Sequence, residues 1–243
     1  MIIAIDGPSG SGKTSVAKEV SRRLGFSTLD TGAMYRAVTY RGLQMGFDLE
    51  GAHDLDGQPE LADVRDALVE VARTEPIEFE YDSEGRPCRV TIGGQDVTTQ
   101  IRTEEVDRTV SVVSACGGVR EALVAQQREM GSRTDTVLEG RDIGTVVFPD
   151  AELKLYLTAT PEVRARRRVL QNMERGVGDT DEAATLELMR YRDEYDSSRA
   201  NAPLAKADDA VEIDTTSMGF EDVVERIVEM VDGRRPREGG PVR

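Results

Sequence analysis

Five residues near the N-terminus have the types and spacing to hold a phosphate. In the stretch GPSGSGKT, Gly7, Gly12, Lys13 and Thr14 complete the pattern G-x-x-x-x-G-K-S/T, with Gly10 inside it. Glycines at these places admit backbone conformations that a Cβ would forbid, so several N–H groups can turn toward one anion. A helix starting near Lys13 adds the positive end of its dipole. Lys13 can reach the β- and γ-phosphates of a nucleotide, and Thr14 can offer its hydroxyl to Mg2+. The flanks agree, because the apolar run Ile2-Ile3-Ala4-Ile5 precedes the loop and a helical pattern follows it. The loop therefore points to a nucleoside triphosphate with Mg2+. Alone it does not separate a kinase from a GTPase or an ATP-driven motor.

Four other clusters carry charge in places where chemistry could use it. In LDTGAMYR, Arg36 follows a short apolar run by about a helical turn and reads equally as a second phosphate site or as a salt-bridged surface arginine. In EGRDIGTVVFPDA, Arg141 and Asp142 follow a buried-strand pattern and precede Gly144, a position that faces ligands in open α/β sheets. In RARRR, helical spacing puts Arg164, Arg167 and Arg168 on one face. That face either binds phosphates or is a solvated surface pairing with the excess acid. In RYRDEYDSSRANAPL, Arg192, Asp196 and Arg199 share a face, and the spacing alone favours a salt-bridge ladder within the helix slightly over a ligand.

These residues need a scaffold, and the hydrophobic pattern supplies one. Strands are expected at residues 2–5, 26–30, 136–142, 152–160 and 210–216, alternating with helices at 13–24, 32–46, after about 60, from 161, about 181–199 and 220–231. Alternation of this kind implies a parallel sheet with ligands at the carboxyl ends of its strands. Residues 75–98 instead alternate apolar and polar, with turns at Gly85-Arg86-Pro87 and Gly93-Gly94, and read as a small antiparallel meander. Residues 102–130 read as two helices broken at Gly117-Gly118. No internal repeat is visible.

Composition narrows the function classes. The chain has 243 residues and a net charge of −15, which argues against broad nucleic-acid binding. No apolar run approaches the ~20 residues of a membrane span. No signal-peptide pattern precedes the first strand, so a cytoplasmic protein is expected. The single histidine, His53, falls in a loop pattern and excludes a histidine-based triad or metal cluster. Cys88 and Cys116 read as small apolar filler rather than a disulfide framework. A switch GTPase would want N-K-x-D to read guanine, and the motif does not occur.

Together, IAIDGPSGSGKT, LDTGAMYR, IRTEEV, VREAL, LEGRDIGTVVFPDA, RARRR and RDEYDSSRANAPL resemble the bacterial cytidylate kinases, a family of nucleoside monophosphate kinases. The resemblance runs to about Ser217. It implies an α/β P-loop kinase fold whose central parallel sheet is flanked by helices, with a β-rich insert and a lid. It implies one domain over residues 1–232, an acceptor-binding region at about 31–120 holding an insert at about 62–103, and a mobile lid at about 161–180. The basic, glycine-rich residues 233–243 fall outside the resemblance and read from their composition as a disordered tail. The reaction it implies is ATP with CMP or dCMP giving ADP with CDP or dCDP, in pyrimidine nucleotide metabolism. ATP would lie on Gly7, Pro8, Ser9, Gly10, Ser11, Gly12, Lys13, Thr14 and Ser15. Thr31, Arg36 and Arg141 would hold the CMP phosphate, and Ser111, Arg120 and Asp142 would read cytosine. Arg192 and Asp196 would hold the sugar, with Arg199 toward the phosphates. Lys13 and Arg141, with Arg164, Arg167 and Arg168 of the lid, would act on the transferring group. Thr14, with Asp30 as a candidate, would order Mg2+. A monomer working on small molecules, without nucleic acid or membrane, is expected. The rival readings are a kinase for another small acceptor such as UMP, and a P-loop switch protein.

Overall fold

The computed structural model describes residues 1–82, 87–176, 178–199 and 201–234. Five parallel strands form the central sheet in the order β2-β6-β1-β7-β8, where β1 is Ile2–Asp6, β2 Ser27–Asp30, β6 Thr136–Gly140, β7 Leu153–Thr158 and β8 Val211–Asp214. Strand alternation divides the core. On β1, Ala4 joins one apolar cluster while Ile3 and Ile5 join the other, and on β6 Leu138 and Val137 divide in the same way. Helices cover both faces, as a parallel sheet requires.

The helices are α1 (Lys13–Leu24), α2 (Thr31–Gln44), α3 (Ala62–Thr74), α4 (Glu104–Ala115), α5 (Gly117–Gly131), α6 (Pro161–Arg175), α7 (Glu182–Ser198) and α8 (Phe220–Asp232). α1 buries Val16, Ala17 and Val20 on one stripe and stops at Gly25, whose φ of 69° lets it close the last turn on the Ser21 carbonyl. Asp30, at the end of β2, caps α2 by accepting from the Ala33 N–H at 2.9 Å. Thr160 and Asp181 cap α6 and α7 in the same manner.

The meander is β3 (Ile77–Tyr81), β4 (Pro87–Ile92) and β5 (Gln95–Asp96), paired antiparallel. Its inward residues Ile77, Val90, Ile92 and Val97 share an apolar cluster with α2, α3 and α5. The turn expected at Gly85-Arg86 lies outside the described residues, and so does the tail from residue 235 on. The break between α4 and α5 falls at Cys116, one residue before the glycines, because Cys116 takes an extended conformation (φ −61°, ψ 118°) and Asp56 accepts from the Gly117 N–H. Cys88 is exposed at the meander rather than filler, whereas Cys116 is buried. Absent from the sequence reading was a π-helical turn over Ile143–Val147, directly after the Arg141-Asp142 pair. No described helix is long and apolar enough to cross a membrane.

Candidate active site

Parallel register gathers the polar strand ends. Asp6 lies beside Gly140, and Asp30 beside Glu139, at the carboxyl edge of the sheet. The loop between β1 and α1 opens there. Gly7 has φ 143°, and a Cβ on it would meet the Leu157 carbonyl oxygen at 2.0 Å, so only glycine fits where the loop crosses β7. Above this edge lies a cleft of about 540 Å3, within the usual range for ligand sites. Among the described lining residues nine are basic and five acidic, the reverse of the chain as a whole.

Lys13 is buried on the floor, where its Nζ donates to the Pro8 carbonyl at 2.7 Å. Burial, reinforced by the Arg141 charge, pushes the ammonium well below the usual lysine range. Facing it, burial and the negative charge of Asp30 push the Glu139 carboxyl up, and one of its oxygens, Oε1, is buried with no partner. The Thr14 hydroxyl is close enough to the same carboxyl group to work against that rise. Asp30 is committed elsewhere, since it caps α2 and pairs with Arg102 at 2.9 Å. Its own burial is outweighed by Arg102, which holds its pKa down.

Asp6 acts on the far wall. It accepts from the N–H groups of Ile143 and Gly144, each at 2.8 Å, and so anchors the π-helical turn to the end of β1. Burial raises its carboxyl to about 6 against those two bonds. That anchorage fixes where Arg141 and Asp142 project. Arg120 donates Nη2 to Asp142, and its guanidinium lies 5.6 Å from the centre of the Tyr35 ring. Ser111 lines the cleft with a buried hydroxyl that has no partner. The Arg141 Nε donates to Asp196 at 3.1 Å. Arg199 lies 4.0 Å from both Asp142 and Asp196 and donates to the Ala202 carbonyl, where the backbone bends through φ 49°.

Most residues expected at the site line this cleft. They are the loop from Ser9 to Ser15, Asp30, Thr31, Arg36, Ser111, Arg120, Arg141, Asp142, Arg167, Arg168, Arg192, Asp196 and Arg199. Gly7, Pro8 and Arg164 are not among them. Arg164 is turned inward, donating to the carbonyls of Ala159 and Ser9, each at 3.0 Å, and pairing with Asp193. It braces the phosphate loop from behind. Arg167 is held by Thr215, and the Thr31 hydroxyl donates to the Glu139 carbonyl at 2.8 Å. Arg192 does not join a ladder within α7 but reaches across to Asp107 on α4.

Several lining residues carried no assignment in the sequence. Tyr35 and Arg102 lie inside quoted motifs, yet motif position gives no contact. Leu170, Met218, Phe220 and Val223 form an apolar rim that only the packing of α6 and α8 reveals.

Comparison with known proteins decides the relationship. A family model described as cytidylate kinase matches residues 3–233. This chain belongs to the cytidylate kinase family. The cytidylate kinase of Halalkalibacterium halodurans is 46% identical over 234 residues, covering 96% of this chain and 98% of its own. That of Geobacillus kaustophilus is 47% identical over 232 residues, 96% of each chain. The bifunctional pantoate ligase/cytidylate kinase of Prochlorococcus marinus is 46% identical over 241 residues, which are 99% of this chain and 46% of that longer one. The family resemblance read from the motifs is thus borne out, and the cytidylate kinase match spans the sheet, the meander and α6–α7 alike.

Proposed function

We propose that this chain transfers the γ-phosphoryl group of ATP to the phosphate of CMP or dCMP, giving ADP with CDP or dCDP. The observation that carries the proposal is a single cleft with the phosphate loop on one side and, across from it, arginines beside a carboxylate able to read cytosine. The acceptor is already an anionic phosphate oxygen, so the reaction needs no strong base and works by positioning and charge neutralisation. Lys13 supplies charge at the ATP phosphates. Arg36 and Arg141, with Thr31 after its hydroxyl rotates off the Glu139 carbonyl, hold the acceptor phosphate. Arg192 and Asp196 hold the sugar end with Arg199 toward the phosphates, while Arg167 and Arg168 bring charge from α6. Excluding water prevents wasteful ATP hydrolysis, and α6, whose Arg167, Arg168 and Leu170 line the cleft, is the element placed to do so. The apolar rim of Leu170, Met218 and Phe220 suits a flat purine. We take the acting species to be a cytoplasmic monomer that works on these small molecules.

Mg2+ fits the residues present. The unpartnered Glu139 Oε1, the adjoining Thr14 hydroxyl and the nearby Asp30 form an oxygen donor set that a hard divalent cation prefers. When bound, Mg2+ would neutralise charge on the ATP phosphates. Glu139, already charge-frustrated beside Asp30, suits this better than Asp30, which has Arg102. Glu139→Gln is expected to raise the Mg2+ concentration for half-maximal activity about tenfold, the order seen when groups orienting a metal are removed. A Mg2+ titration of both proteins checks it, and an unchanged midpoint would remove Glu139 from the metal site.

Base choice follows from acceptor and donor patterns. Cytosine presents an amino donor where uracil has a carbonyl, and a ring acceptor where uracil has a donor. Asp142, a carboxylate that accepts from Arg120, welcomes the amino group and repels the carbonyl, while Ser111 and Arg120 can donate to the ring acceptors. Wild-type protein is expected to favour CMP over UMP. Asp142→Asn, whose amide can turn a donor to uracil, should narrow that ratio of kcat/KM about 10- to 100-fold, the size of ~1–3 kcal/mol of discrimination. Both acceptors on both proteins at saturating ATP give the measurement. Equal losses on CMP and UMP would mean that Asp142 does not read the base.

A further inference from the structure

Asp107, on α4, lies outside the cleft lining and in none of the four charged clusters the sequence singles out. It is 5% exposed, and three arginines from three other helices end on it. Arg36 of α2 donates Nη2 to its Oδ1 at 2.5 Å, Arg192 of α7 donates Nη1 to the same oxygen at 3.3 Å, and Arg168 of α6 donates Nη2 to Oδ2 at 2.5 Å. All three arginines line the cleft, with the carboxylate behind them. They are also the side chains assigned above to the acceptor phosphate, the sugar end and the lid.

The arrangement has two physical consequences. Three guanidiniums brought together repel, and one carboxylate offsets only part of their charge, so the cluster keeps a surplus that draws anions. Burial lowers Arg36 to about 10, and burial likewise lowers Arg192. Burial would raise Asp107, but the charges of Arg36, Arg168 and Arg192 outweigh it and hold the carboxyl well below the usual range. Second, the contacts use terminal nitrogens. Arg36 gives Nη1 to the Ile101 carbonyl and Nη2 to Asp107, and Arg168 gives its other terminal nitrogen to Gln171. A two-pronged grip on phosphate calls on these same nitrogens.

We propose that Asp107 is an internal anion that competes with the substrate phosphates for Arg36, Arg168 and Arg192. A phosphate entering the cleft must draw these guanidiniums off a carboxylate of the protein itself. The competition keeps the cluster assembled in the empty enzyme, and it lowers apparent affinity by the fraction of time that the arginines are held. Asp107 is therefore a positioning residue that sets affinity rather than one that touches substrate. The inference rests on the proposed phosphate role of these arginines.

Calorimetry of CMP binding to wild type, Asp107→Asn and Asp107→Glu tests it, alongside thermal melts with inorganic pyrophosphate. Asp107→Asn is expected to bind CMP about tenfold more tightly, as when the arginines are free about a tenth of the time in the wild type. Pyrophosphate should raise its melting temperature more than it raises that of the wild type. Asp107→Glu, which keeps the charge, should return toward wild-type affinity. Weaker or unchanged CMP binding by Asp107→Asn would overturn the proposal. Were Asp107→Asn to unfold when empty, refolding in pyrophosphate is the expected outcome, since an added anion replaces the lost one. Failure to refold there would assign Asp107 a purely structural role and overturn the competition. Wild-type protein that does not phosphorylate CMP would instead refute the proposed acceptor, and the pyrophosphate melts would still decide the competition.

Discussion

Lys13→Met is expected to leave a folded protein whose kcat has fallen by at least about 10²- to 10³-fold, the loss typical of removing one preorganised charge or donor from the reacting group. The fold should survive because burial already works against the ammonium, and an unbranched apolar chain fills the same space. What disappears is the positive charge under the transferring phosphoryl group and the bond to the Pro8 carbonyl that shapes the loop. Circular dichroism establishes the fold, and a coupled ADP assay at saturating substrates gives the rate. Near-normal turnover would rule out the loop as the place of chemistry.

The second large effect separates the two substrates. Arg141→Ala is expected to weaken CMP far more than ATP. A lost hydrogen bond to a charged group is worth about 1.5–3 kcal/mol, which is about 10- to 150-fold in Kd. The Arg141 side chain is 22% exposed, so the smaller part of that range applies. Calorimetry of each nucleotide alone gives both constants. Should ATP affinity fall while CMP affinity holds, the two sides of the cleft have been assigned in reverse.

Local signals carried most of the architecture. α1 could be placed at both ends because its apolar stripe, the glycine before it and Gly25 after it are adjacent in sequence. β6 could be placed because its buried run ends in charges, and those charges turn out to face the cleft. What could not be read depended on distance along the chain. Asp107 meets arginines 61 to 85 positions away, and nothing in EEVDRT marks it as their meeting point. Asp6 reads as the polar end of a strand, while its task of holding residues 143 and 144 depends on the order of the strands in the sheet. Helical spacing put Arg164, Arg167 and Arg168 on one face, but it could not tell that the three separate to the loop, to Thr215 and to Asp107. Asp30 reads as a metal neighbour at the end of its strand, while its pairing with Arg102, from another element, has no local signal. Sequence spacing, then, located the groups, and packing determined which of them are free to meet a ligand.

Phosphoryl transfer to a cytidine monophosphate chosen by its base is the reaction proposed for this cleft. It is tested most directly by incubating the protein with ATP and Mg2+ against CMP, dCMP, UMP, AMP and GMP in parallel, following nucleoside diphosphates by chromatography. CDP and dCDP, formed with equal amounts of ADP and far ahead of the other diphosphates, are the expected result. Equal or faster formation of UDP, ADP from AMP, or GDP, or ATP consumption with no acceptor phosphorylated, would contradict the account.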